Sequence, residues 1–384
     1  MHLLTRIAAL VSLLAFAVTG FTTATGSATA ASDVVGHLYV NDNTAGTNTI
    51  AAFDRHSDGT LTPLRGSPFA AGGAGTGKGI GSQGALQVTS NNQYLLAVDA
   101  GSNQISVLRV NSDGELSLVG GGPVSSDGTE PVSIAVHGSL VYVANAGNGG
   151  TNYTGFTLNP GGHLQPLAGS TVALPDGSLP GDVLFNGAGT SLVGTRIDTS
   201  LIDSFTVGQD GRLTAAPGSP FSAQRVGPFG SEFSPTDPTH LYVSNAHDGP
   251  GLGSISAYDV ATDGSLNAID GSPVADLQTA PCWVEITHDG QFLFTINTAS
   301  NSISRYAIAA DGSLTLKGST PFKGSAGVGA EDARLGPNGG MLWVVDTGAR
   351  AVSAFAVNGS NLTELPSSPT SLPAGSAPFG IVVI

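Results

Sequence analysis

The chain is nearly without cysteine. Cys282 stands alone among 384 residues, so no intrachain disulfide can form and packing has to hold the fold. A single cysteine of this kind reads as a small buried hydrophobe. Lysine is almost as scarce: Lys78, Lys317 and Lys323 complete the set, and Lys plus Arg number 13 against 28 acidic residues. Nucleic acid and anionic membrane surfaces are bound through clustered cations. A formal charge of −15 therefore argues against both as partners and favours solubility. Met occurs twice and charged residues make up 11%, which leaves few of the usual helix formers. Beyond residue 30 no apolar run is long enough to cross a bilayer, so membrane insertion is not expected.

What is present points to strands and turns. There are 55 Gly and 22 Pro, with Val, Ile, Thr and Ser plentiful, the composition of an all-β protein. Residues 1–30 read as a secretory signal: Arg6 supplies a positive start, residues 7–18 an apolar stretch, and Ala28-Thr29-Ala30 a small-x-small cleavage site. The mature protein is then exported, soluble and monomeric, and residues 31–384 form one domain.

One phrase returns throughout. "DGTLTPLRGSPF" begins at Asp58, "DGELSLVGGGPV" at Asp113, "DGRLTAAPGSPF" at Asp210, "DGSLNAIDGSPV" at Asp263 and "DGSLTLKGSTPF" at Asp311. With the degenerate "GGHL" and "GSNL", the leucine after each turn falls at Leu61, Leu116, Leu164, Leu213, Leu266, Leu314 and Leu362. Seven copies spaced by about 50 residues lie in the range of propeller blades of four strands each. In the sixth copy "PCWVEIT" is strand A, "FLFTIN" strand B, "SISRYAI" strand C and "LTLKG" strand D. Asp-Gly between β-rich runs is a strong hairpin signal, because Gly tolerates positive φ. The described pattern opens at a strand B, "HLYV" from His37, and ends on an unattached strand A, "APFGIVVI". The last strand is therefore expected to complete the first blade and hide two sheet edges. The fold class is an all-β, seven-bladed propeller closed in this way.

The pattern "P-x-x-(apolar)-x-(apolar)…DG…N…N-x-I-x-x-(Y/F)…DG-x-L" resembles the lactonase family of seven-bladed propellers, which includes 6-phosphogluconolactonase-type enzymes and carboxymuconate lactonizing enzymes. The resemblance covers nearly all of residues 31–384. It implies a hydrolase or cyclase that acts on a lactone ring at the channel mouth, using Arg, His and Glu, with no cofactor or obligatory metal.

Strand A alternates. In the sixth copy Cys282, Val284 and Ile286 belong between blades, which turns Trp283 and Glu285 toward the channel. The same frame selects Asp182, Glu232, Asp332 and Arg334 in other copies. Opening a lactone needs a base for water and a donor for the oxyanion. Glu232 or Glu285 is the expected base, with His247 as rival. Arg196 or Arg225 is expected to meet the oxyanion or a substrate carboxylate, where a guanidinium fork suits bidentate contact. Arg196 stands where other copies have Asn145, Asn245 or Asn297, and a structural alternative pairs it with Asp182 or Asp198. Asp182, Arg225, Arg334 and Trp283 complete the expected substrate contacts. The Gly-rich stretch at residues 72–84 is not a phosphate loop, since Gly79 follows Lys78 and no helix follows; it reads as a flexible loop over the channel mouth. Few cations are available for a phosphorylated sugar, so a neutral or carboxylated lactone fits better. The competing reading is a non-catalytic extracellular binding propeller.

Overall fold

The computed structural model describes residues 32–324, 326–327 and 329–384; the segment read as an export signal lies outside them. Seven antiparallel sheets are arranged as blades. Blade 6 shows the unit: Pro281–Ile286, Phe292–Asn297, Ser302–Ile308 and Leu314–Pro321 run from the axis outward as strands A to D. In the other six blades a further short strand, such as Val274–Ala275, pairs with strand C beyond strand D. That addition was not expected from the sequence pattern.

The innermost strands lie side by side around the axis. They are Leu86–Val88, Pro131–His137, Pro180–Phe185, Pro228–Phe233, Pro281–Ile286, Ala330–Leu335 and Ile381–Val383, and each contacts the next, the last returning to the first. Closure runs through backbone hydrogen bonds. Ile381–Val383 pairs antiparallel with Val34–Asn41, placing Tyr39 opposite Val382. His37 and Ile384 exchange both N–H···O bonds at 2.9 Å, and Phe379 N donates to Asn41 O at 2.9 Å.

The alternation of each strand fills the spaces between blades. Trp343, Val345 and Val352 of blade 7 pack on Leu38, Val40 and Ile381 of blade 1. Tyr242 and Ile255 of blade 5 pack on Val284, Leu293 and Tyr306 of blade 6. The recurring Asp-Gly phrase has a second use here. Buried strand-B tyrosines reach into the neighbouring blade's turn: Tyr39 donates to Gly114 O, Tyr142 to Gly211 O and Tyr242 to Gly312 O, at 2.8–3.0 Å. Gly114, Gly211 and Gly312 all have φ near +80°, where an L side chain is strained. Each turn thus presents a carbonyl to the blade before it.

Within blades, the last residue of strand B bonds across to strand C seven residues on. Asn48 Nδ2 donates to Asn41 Oδ1 and Asn145 Nδ2 to Asn152 Oδ1, at 2.9 and 2.8 Å. Ser106 donates to Asp99 and Ser353 to Asp346. In blade 5 the longer loop at residues 246–253 stretches the step, and Asn245 Nδ2 reaches Ser256 Oγ at 2.9 Å.

Closure makes a direct expectation. Removing residues 377–384 strips blade 1 of its inner strand and bares two edges. The truncated protein should lose its cooperative melting transition or melt far below the intact one in calorimetry. Equal melting temperatures would show that the ladder is dispensable.

Candidate active site in the propeller channel

The inner strands deliver a compact set of charges to the axis. Asp182, Glu232, Glu285, Asp332 and Arg334 interact electrostatically with one another, as the strand-A alternation requires. Each of their strands begins with an irregularity: register shifts lie at Pro180/Asp182, Pro228/Ser231, Pro281/Trp283 and Ala330/Ala333. In three of the four, proline at the first position withholds an N–H that the ladder would otherwise use, and in all four the bulge re-aims the next side chain.

Four carboxyls face one guanidinium. Two unit charges of like sign 4 Å apart cost about 4 kcal/mol at an effective dielectric of about 20, so such a cluster holds protons rather than ionising fully. Burial pushes the Asp182 carboxyl up to about 7, although Ser231 and Ser133 pull it back. Ser231 donates to Asp182 Oδ2 from N at 2.9 Å and from Oγ at 2.6 Å, and Ser133 Oγ to Oδ1 at 3.3 Å. Burial likewise pushes Asp332 up to about 6, tempered by Arg334. Its Oδ1 accepts from Ala333 N at 2.9 Å, while Oδ2 is buried without a well-formed hydrogen bond.

Glu232 and Glu285 divide the roles. Glu285 is buried and held on both oxygens: Arg334 Nη1 donates to Oε2 at 3.1 Å and Leu335 N to Oε1 at 2.8 Å. Glu232 is half-buried and has no such hold; burial, then the neighbouring Glu285, Asp182 and Asp332, push it up to about 8 against the pull of Arg334. Burial raises Glu285 as well, but Arg334 and the Leu335 N–H pull it back, whereas no such hydrogen bonds steady Glu232. Arg334 is held firmly protonated by the four acids, and a quarter of its side chain stays open. Glu232, Arg334, Leu184 and Gln87 are all partly open, whereas Asp182 and Asp332, one step nearer the D-to-A end, are sealed. The partly open side chains therefore lie on the A-to-B side of the cluster, and Glu285 also interacts with the exposed His288 there.

The D-to-A end is covered. Residues 76–84 leave blade 1 and turn into the axis, with Ile80, Ser82 and Gln83 buried. Ser82 Oγ donates to Val132 O at 2.7 Å, and Gln83 N to Gly181 O at 2.9 Å. These carbonyls sit at the bulges, where the ladder leaves them unused. The stretch expected as a flexible loop is instead a hydrogen-bonded plug. Its fixation follows from the polar backbone at the bulges, which needs partners once buried.

The remaining sequence candidates fall elsewhere. Trp283 is buried beneath the plug, donating Nε1 to Ser82 O at 2.7 Å and packing edge-on against Phe229 at 5.1 Å. Arg196 occupies the blade-4 version of the B-to-C bond described above. Its Nε donates to Asp203 Oδ2 at 2.6 Å and its Nη2 to Oδ1, with both residues buried and Tyr153 Oη on the same carboxylate at 3.0 Å. Its partner is Asp203 rather than Asp182 or Asp198, so a charged pair does here what Asn–Asn does in blades 1 and 3. Arg225 and His247 are exposed on the D-to-A rim, Arg225 4.0 Å from Asp248. Neither joins the lumen cluster. No group of three or more His, Cys, Asp or Glu among the described residues has metal-holding geometry.

A closed ring of seven antiparallel sheets around a charged lumen defines a seven-bladed propeller. The family described as "Lactonase, 7-bladed beta-propeller" matches residues 38–178 and 190–382, and the chain belongs to that family. Similar solved structures include a putative 6-phosphogluconolactonase from Bacteroides uniformis, 19% identical, covering 90% of this chain and 98% of that one with a TM-score of 0.72. Another, from Bacteroides fragilis, is 19% identical over 91% and 98% with a TM-score of 0.70. The periplasmic gluconolactonase PpgL of Pseudomonas aeruginosa is 17% identical over 90% and 98%, also at 0.70. At these identities the likeness is one of fold. No curated protein matches the sequence.

Two outcomes are expected. The lumen carboxyls take up protons at higher pH in the folded chain than in the unfolded one, where Asp and Glu titrate near 4. The folded state then holds the extra protons between about pH 4 and pH 8, and stability should fall as pH rises through that window. Calorimetry from pH 5 to 9 checks this, and Asp182→Asn should flatten the fall. Separately, Arg196→Ala leaves Asp203 buried without its cation and should cost about 3–5 kcal/mol in urea unfolding, whereas Arg196→Met with Asp203→Leu should cost much less.

Proposed function

We propose that the chain hydrolyses the lactone ring of a small sugar or carboxylic acid, entering the lumen from the A-to-B end, as an exported, monomeric and cofactor-free protein. The observation that carries this reading is a half-buried Glu232, not held by hydrogen bonds, within electrostatic reach of the partly open Arg334, itself bonded to Glu285. Family membership and the similarity to a putative 6-phosphogluconolactonase and a gluconolactonase support the reaction class. The scarcity of cations favours a neutral or carboxylated lactone over a phosphorylated one. Export rests on residues 1–30.

In this reading the Glu232 carboxylate takes a proton from water as its oxygen bonds to the lactone carbonyl carbon. The oxyanion that forms lies against Arg334. Collapse breaks the ring C–O bond, and the departing alkoxide recovers the proton from Glu232, giving the hydroxy acid. Glu285 keeps the guanidinium charged and oriented. A binding platform without turnover is the second reading, favoured by the plug that covers the D-to-A mouth.

A panel of γ- and δ-lactones with purified protein separates the two. Glu232→Gln should lower kcat/KM by about 10²–10⁴ with folding intact, and Arg334→Ala by about 10²–10³ in a less stable protein, since Glu285 loses its cation. Because the active form of Glu232 is the carboxylate, kcat/KM should rise with pH through about 8. Arg225→Ala and His247→Ala should turn over normally. Turnover that is absent, or equal in Glu232→Gln, overturns the hydrolase reading.

A further inference from the structure

Gln83 reaches two strands with one amide. Its Nε2 donates to Ser231 O at 2.8 Å, and its Oε1 accepts from Val284 N at 3.0 Å. Ser231 and Val284 are the residues immediately before Glu232 and Glu285. Blades 5 and 6 share no ladder hydrogen bond along their inner strands, so the amide stands where a ladder bond would be. Trp283 Nε1 on Ser82 O anchors the plug to the same strand from the other side.

The local sequence makes room for this contact. A Cβ on Gly230 would lie 2.2 Å from Gln83 Oε1 and 2.6 Å from Cys282 O, so a side chain there would expel the amide. Gln83 is itself buried, so both halves of the amide must stay paired. Ser231 is also the residue that holds Asp182, which links the clamp to a third acid.

We propose that Gln83 is a positioning residue for the lumen site: its amide fixes the distance between the strands bearing Glu232 and Glu285, and so sets how strongly the two carboxylates act on each other. The groups that face Glu232 are Glu285, Asp182, Asp332 and Arg334, and Glu285 in turn feels His288. Releasing the clamp lets the two inner strands separate. Burial holds a proton on Glu232 first and the repulsion from Glu285 adds to it; that repulsion then weakens, and Glu232 ionises at lower pH. Any effect on turnover rests on the hydrolase reading; the clamp itself does not.

The test follows Glu232 directly. Protein labelled with ¹³C at Glu side-chain carboxyls is titrated by NMR, the resonance being assigned by its loss in Glu232→Gln. Gln83→Met keeps the bulk and removes both hydrogen bonds, and should move the Glu232 midpoint down by roughly half a pH unit or more. Gln83→Glu is the second variant. While neutral, its carboxyl can donate to Ser231 O and accept from Val284 N, so it should melt like the parent at pH 5 and lose stability once ionised. A lowered melting temperature with the Glu232 midpoint unmoved in Gln83→Met would overturn the proposal, leaving Gln83 a packing residue. A shifted midpoint in a protein that turns over no lactone would uphold the clamp and sink the hydrolase reading instead.

Discussion

Seven sheet edges meet on one axis in this chain, and the polar backbone they carry there has to be answered. A sheet edge on the outside of a protein is served by water. An edge on a narrow axis is served by whatever the chain itself inserts. Here the bulges concentrate the unpaired carbonyls at one end of the inner strands, and residues 76–84 cover that end. Beneath the cover, alternation leaves the lumen to side chains rather than backbone, and the charged ones among them are four acids and one arginine. One guanidinium serves four of them, so protons make up the shortfall of positive charge. Closure, cover and charge all follow from bringing the edges together.

Much of this was legible in the sequence because repetition amplifies weak signals. One Asp-Gly turn is ambiguous; five in register define a period, and the unmatched strands at either end define the closure. The alternation around Cys282, Val284 and Ile286 also extends to copies that share few residues with it. It brings Asp182, Glu232, Glu285, Asp332 and Arg334 to one axis, the cluster seen in the structure. The period-2 geometry of a strand carries that much information on its own.

What was not legible lies where repetition ends. Gln83 stands where other copies have proline, as at Pro131, Pro180, Pro228 and Pro281, so no other copy shows what its amide does, and glycine-rich loops have no pattern that states where they go. Arg196 misled in the opposite way. Its departure from Asn145 and Asn245 looked like function, yet the position keeps its task and changes its chemistry. The seven-residue step to Asp203, matched by Asn145 to Asn152, would have revealed the partner. Arg225 and His247 were drawn from loops on the D-to-A face, and nothing in a loop's composition distinguishes its rim from its lumen side.

The plug also bears on how the molecule is made. Its bonds to Trp283 and Val284 join residues 201 positions apart in the chain. At ordinary rates of synthesis, about 5–20 residues per second, blade 6 follows the plug by about 10–40 s. Through that interval the Ser82 carbonyl and the Gln83 Oε1 have no native partner to meet, and the first blade waits longer still for its inner strand. The early blades must therefore survive as a nascent, open arc, and the last two do more than add length: they turn a curved sheet stack into a sealed barrel-like body. Cooperativity in this protein arrives at the end of the chain, all at once.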